Sequence, residues 1–204
     1  MKKFELTTDF ITVLGIKLFR IRALVEFGTV KAGDLGGYVE KEENLDHYGN
    51  AWVSGDAWVY GNARVSGDAQ VYGNAWVYGN ARVYGNARVS GNARVSGDAW
   101  VSGDAWVSGD AWVSGDAWVS GDAQVYGDAD YACVKGFGTK YRNTTFFREK
   151  DGTVKVSCGC FFGTIPEFRK QVEKNRFGNI AKEYLMIADL MELHFSKDGE
   201  SGND

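Results

Sequence analysis

From Gly49 to Tyr126 the chain follows one six-residue pattern, Gly-(Asp/Asn)-Ala-x-Val-(Ser/Tyr), with no insertion, and SGDAWV occurs four times unchanged between Ser96 and Val119. Small, variable, apolar and polar positions alternate within the unit, which predicts a short strand with Ala and Val on one face. The Gly-Asp or Gly-Asn pair supplies residues that tolerate a corner. A helical period finds no match. Strands this short, joined by tight corners, predict a coiled strip of stacked units, because one unit cannot bury its apolar side alone.

The flanks follow different rules. Lys3 to Ala23 alternates well enough for two strands around Leu14-Gly15, and GDLGGYV at Gly33 to Val39 leads into the first coil. After Cys133, Thr144 to Arg148 and Thr153 to Cys158 flank Lys150-Asp151-Gly152, a hairpin signal. Thr164-Ile165-Pro166-Glu167 is a capping box opening a short helix to about Lys174. Ile180, Tyr184, Ile187, Ala188 and Met191 share one face of a longer helix ending near Phe195. The chain thus divides into an N-terminal β cap (1–48), a repeat body (49–134), a C-terminal α+β cap of hairpin and two helices (135–195) and a disordered tail (196–204).

The spacing of Val53 and Ala57, Val59 and Ala63, through Val119 and Ala123 resembles the hexapeptide-repeat proteins, in which an aliphatic residue is followed four positions later by a small one. The resemblance implies a mainly β fold, a left-handed parallel β-helix with three strands per triangular coil, and a homotrimer packed along its helices. VKAGDLGGYVEKEENL before the repeat, and CGCFFGTIPEF and AKEYLMIADL after it, are similar to small hexapeptide-repeat proteins of phages and prophages.

If three hexads make a coil, residues eighteen apart lie one rung apart, about 4.8 Å. The variable position then builds three outward columns: Trp52, Gln70, Arg88, Trp106, Gln124; Trp58, Trp76, Arg94, Trp112, Asp130; and Arg64, Arg82, Trp100, Trp118. All seven tryptophans fall in this register, which places none in the core. Exposed aromatic ladders mark interfaces, and subunit packing accounts for most of the rings. It does not account for Arg82, Arg88 and Arg94 in successive hexads. With Trp76, Trp100, Trp106 and Trp112 they form a belt that, at intersubunit clefts, suits a planar nucleotide-like anion held by bidentate bonds and base stacking.

Charge narrows the partners. The net charge is −4, and Gly49 to Ala132 holds four Arg, nine Asp and no Lys or Glu, a balance of 4 − 9 = −5. With no basic run, duplex nucleic acid is not an expected partner. Asp98, Asp104, Asp110, Asp116, Asp122 and Asp128 are corner residues, read as turn formers rather than a calcium edge. No apolar run reaches the length of a membrane span, and the N-terminus does not read as a signal peptide. Three cysteines without framework spacing predict a cytoplasmic protein.

Acyltransferases of the hexapeptide-repeat class use a His base near a loop thrown out of the coil. Here only His47 and His194 occur, and no loop interrupts the hexads. Cys158-Gly159-Cys160 is a weak metal signal. The expectation is a non-catalytic protein without a cofactor. Its leading role is sequestration of a small anionic ligand, and the phage resemblance implies a host-defence signal. The alternative is a trimeric scaffold or inhibitor that grips a host protein through the C-terminal cap; an acyltransferase comes behind both.

Overall fold

The computed structural model describes residues 2–196, so the expected disordered tail lies outside the described residues apart from Ser196. Two compact units divide the chain, Met1–Asp128 and Ala129–Asp204. The first contains the repeat. Its strands are two residues long, from Trp52–Val53 to Gln124–Val125, and they stack in parallel on three faces. One face carries Trp52–Val53, Gln70–Val71, Arg88–Val89, Trp106–Val107 and Gln124–Val125. A second runs from Trp58–Val59 to Trp112–Val113, and the third from Arg64–Val65 to Trp118–Val119. Each variable residue pairs with the one eighteen positions on, as in Arg64 with Arg82 and Arg82 with Trp100. Three hexads therefore make one coil of a β-solenoid.

Ala and Val fill the prism. Every inward position from Ala51 to Val125 is at most 1% exposed, and no larger side chain is needed because three strands enclose little volume. From Trp52 to Asp104 each hexad donates three backbone hydrogen bonds to the next coil: Arg82, Tyr84 and Asn86 N–H reach the carbonyls of Ala99, Val101 and Gly103 at 2.9, 3.0 and 2.9 Å. The corner requires glycine for two reasons. At Gly97 φ is +67°, and a Cβ would stand 2.8 Å from the Gly115 carbonyl oxygen. Beside the glycines, Asn side chains climb the corners, with Asn62 donating to Asn80 at 3.1 Å and Asn80 to Asp98 at 2.9 Å.

A stack of coils ends in unpaired carbonyls, and the N-terminal cap supplies their donors. The antiparallel strands Phe4–Val13 and Ile16–Ala23 turn at Leu14-Gly15, where both φ values are positive. Leu35–Val39 follows, and its Tyr38 pairs in parallel with Trp58, making the cap continuous with the second face. Tyr38, Glu40 and Asp46 N–H bond the carbonyls of Ala57, Val59 and Val65. Where no backbone reaches, side chains substitute: Lys3 Nζ donates to Gly49 and Ala51 at 3.3 and 2.9 Å, and Asn44 Nδ2 to Gly61 and Ala63 at 3.1 and 2.9 Å. Burial of the otherwise polar Lys3 and Asn44, at 3% and 0% exposure, follows from this duty.

The second unit is a four-stranded antiparallel sheet, Tyr131–Phe137, Arg142–Arg148, Val154–Cys158 and Phe161–Thr164, with helices α1 (Ile165–Asn175) and α2 (Gly178–Ser196). The hairpin and both helices stand where the sequence placed them. Thr164 accepts from Glu167 N–H at 3.4 Å, and Glu167 accepts from Thr164 N–H at 2.8 Å, closing the capping box. Phe146 and Val156 of the sheet pack with Phe168 and Val172 of α1 and Ile187 and Met191 of α2. Tyr131–Phe137 pairs with Arg142–Arg148, so the chain leaves the solenoid after Gln124–Val125, short of the boundary at Val134 read from the decaying repeat. Asp130, placed by spacing above Trp112, belongs to this second unit.

Candidate functional site

The three columns exist in the expected registers, but the tryptophans in them differ. Trp52 is only 4% exposed, which corrects the expectation that none of the seven is buried. The Phe27 ring meets it edge-on at 5.3 Å, and Gly36 lies so close that a Cβ there would be 2.7 Å from the indole. Outward register does not guarantee exposure where a cap folds back over the first coil. Trp58 and Trp76 stack on each other at 4.6 Å, while Trp100, Trp112 and Trp118 are exposed by 37, 46 and 39%.

The indoles lie along the surface rather than standing off it. Trp106 Nε1 donates to Ser90 Oγ and Trp112 Nε1 to Ser96 Oγ, both at 3.0 Å. Ser90 and Ser96 are 4 and 5% exposed beneath them. A tryptophan therefore covers the hydroxyl position sixteen residues earlier, provided that residue is small. At Trp100 it is Tyr84, and the two rings meet edge to face at 6.1 Å instead.

The seven residues of the expected belt resolve into three stations, one per face. On the second face Arg94 lies between Trp76 and Trp112, its guanidinium 4.7 and 6.0 Å from the two rings. Each such contact contributes about 0.5 to 2 kcal/mol. On the first, Arg88 occupies the rung between Gln70 and Trp106. On the third, Arg82 lies over Trp100 at 5.1 Å. One chain thus does not bring the three arginines together.

The third face has depth. There Arg64, Arg82, Tyr84 and Trp100 line a groove of about 740 Å³ whose other wall is the cap segment with Glu42, Glu43, Asp46 and His47. A neighbouring hollow along the Asn62, Asn80 and Asp98 corner shares Glu43, Arg64, Arg82 and Trp100. Glu42 is engaged by Lys2 at 2.6 Å and by His47 at 3.7 Å, and the Lys2 hydrogen bond holds its carboxyl below the usual range. Among the described residues, no ion pair links Glu43 or Asp46 to Arg64 or Arg82. Repeat spacing found Arg82 and Trp100. It could not find Glu43 and Asp46, which carry no repeat signal and reach the groove only because the cap sits on the rung before Arg64.

His47 stacks on Phe4 at 4.4 Å and accepts from Lys3 N–H at 3.2 Å, and His194 meets the Phe195 ring edge-on. Among the described residues no three His, Cys, Asp or Glu side chains gather as a metal site, and no helix is long and apolar enough to cross a membrane. In the second unit Cys158 and Cys160 line a separate cavity of about 310 Å³ with Phe168, Arg176 and Tyr184. Thr144 Oγ1 donates to Cys158 Sγ at 3.1 Å, and burial raises the Tyr184 hydroxyl above its ordinary pKa.

No curated protein matches the chain. The model of the YdcK beta solenoid repeat matches residues 57–73, 69–85, 76–89, 81–93 and 87–103, a stretch that includes Arg82, Arg88 and Arg94. In its central coils the chain is similar to that repeat, and with the stacked three-faced body it is a repeat β-solenoid protein.

Proposed function

We propose that this protein is a non-catalytic binding protein whose solenoid face captures a small planar anion of nucleotide type. The observation that carries this reading is the third-face groove. Arg82 lies over Trp100 at 5.1 Å, Arg64 is one rung below, and the hollow of about 740 Å³ can admit a small ligand. Two guanidiniums stacked in register repel each other unless an anion lies across them, and a bidentate phosphate does so at low cost. The exposed indole offers a base a stacking surface that does not depend on sequence. The proposal extends to a homotrimer whose partners close the groove, to a cytoplasmic setting, and to a phage protein that removes a nucleotide signal of host defence.

Titration calorimetry with ADP tests the binding. Measurable affinity in the wild type, lost by at least about tenfold in Arg82→Ala with an unchanged far-UV spectrum, supports the reading. Unchanged affinity in the variant refutes it.

A second reading rests on α2. Met186, Leu190 and Leu193 are 69, 58 and 59% exposed on the side of the helix away from its core residues, which is where a host protein held by the C-terminal cap would rest. Loss of co-purification on Leu190→Asp, with nucleotide binding intact, separates the two.

A further inference from the structure

The third face presents its groups in a fixed order along the stacking direction. Leu45 bridges Val65 in parallel, which places the cap segment from Glu42 to His47 on the rung before Arg64. Arg64 pairs with Arg82, Arg82 with Trp100 and Trp100 with Trp118. The sequence of rungs is therefore carboxylates, guanidinium, guanidinium, indole. At about 4.8 Å per rung, the carboxylate end and Trp100 are about 14 Å apart.

Glu43 and Asp46 are exposed on the cap wall and Arg64 and Arg82 on the coil, in one groove, and among the described residues no ion pair joins them. Asp46 accepts from Tyr48 N–H at 3.0 Å through Oδ1, which fixes the carboxylate on the rim of the groove it lines. The space between the walls thus carries two chemistries at a set separation: positive donors for phosphate, and carboxylate acceptors for hydroxyl groups.

We infer that the ligand of this face is a nucleoside diphosphate bearing a terminal sugar with a vicinal diol. The inference rests on the anion-binding reading above and names its substrate class. The base stacks on Trp100, the two phosphates lie over Arg82 and Arg64, and the diol of the distal sugar donates to Glu43 and Asp46. A carboxylate accepting from a ribose diol is recurrent sugar recognition, and an acidic wall would repel a ligand ending in phosphate. A nucleoside triphosphate is shorter by a sugar ring but directs its γ-phosphate, its most negative group, toward Glu43 and Asp46. The face therefore selects against it.

The test is calorimetry with ADP-ribose, ADP and ATP on the full chain and on Glu43→Gln/Asp46→Asn, two exposed positions whose amides keep the shape. ADP-ribose is expected to bind at least about tenfold more tightly than ADP, and ATP no better than ADP. In the double variant, ADP-ribose affinity falls to that of ADP, while ADP is unchanged and ATP gains. Equal affinity for ADP-ribose and ADP in the wild type, or a preference that survives the double substitution, overturns the diol assignment while ADP binding still upholds the broader reading. Failure of all three nucleotides overturns both.

Discussion

Burying Lys3 makes stability depend on pH in a direction that can be worked out. Lys3 is 3% exposed, and desolvation lowers its pKa from 10.5 to about 8, against the opposing pull of Asp46 and Asp68. The folded value lies below the unfolded one, so between about 8 and 10.5 the unfolded chain binds more protons than the folded one, and stability rises with pH through that window. At 1.36 kcal/mol per unit, the full difference sets a ceiling of about 3.4 kcal/mol. The ammonium keeps two carbonyl acceptors and two nearby carboxylates, which brings the expected gain to about 1 to 3 kcal/mol. Urea denaturation of wild type and Lys3→Met at pH 7.5, 9 and 10.5 isolates the effect, because tyrosines and other lysines titrate alike in both proteins. The wild type should gain on the variant at each step. A difference that stays flat, or runs the other way, refutes a buried, cap-forming Lys3.

Substitutions at four further sites have outcomes fixed by the geometry. Gly97→Ala puts a methyl group against the Gly115 backbone at positive φ and should destabilise by more than about 1 kcal/mol in the same denaturation assay, whereas Asn86→Ala removes only an exposed 2.9 Å bond to Asp104 and should cost under about 1 kcal/mol. Arg94→Ala opens the space between Trp76 and Trp112 and should cost about 0.5 to 2 kcal/mol per lost stack, with Arg94→Lys recovering part of it. Thr164→Ala removes the capping hydroxyl of α1 and should cost about 1 kcal/mol, read as a lower thermal midpoint by circular dichroism.

The period of the repeat made the core, the corners and all three columns legible, because each depends only on residues six and eighteen apart. Arg94 between Trp76 and Trp112 could be read for the same reason. What stayed hidden lies where the period breaks. Trp52 is covered by Phe27, and the groove is completed by Glu43 and Asp46, all from the cap, whose packing no repeat encodes. The link from Trp106 to Ser90 and from Trp112 to Ser96 was present as a sixteen-residue spacing with serine in place of tyrosine. It required knowing that the indole lies down across the coil. Tyr131–Phe137 was the reverse case, a decaying hexad that looks like repeat but pairs with the hairpin beside it.

Three hexads to the coil also limit how this sequence can change length. The four identical units between Ser96 and Val119 invite unequal recombination, which adds or deletes one unit at a time. Loss or gain of a single unit leaves every Ala and Val inside, so the body still folds, but each later residue moves to the adjacent face. Trp118 would then sit below a different column, and the chain would leave the stack on another side. Changes of eighteen residues alone preserve the alignment of faces and exit point. Natural variants that differ in length by one or two hexads should therefore be stable proteins with rearranged surfaces.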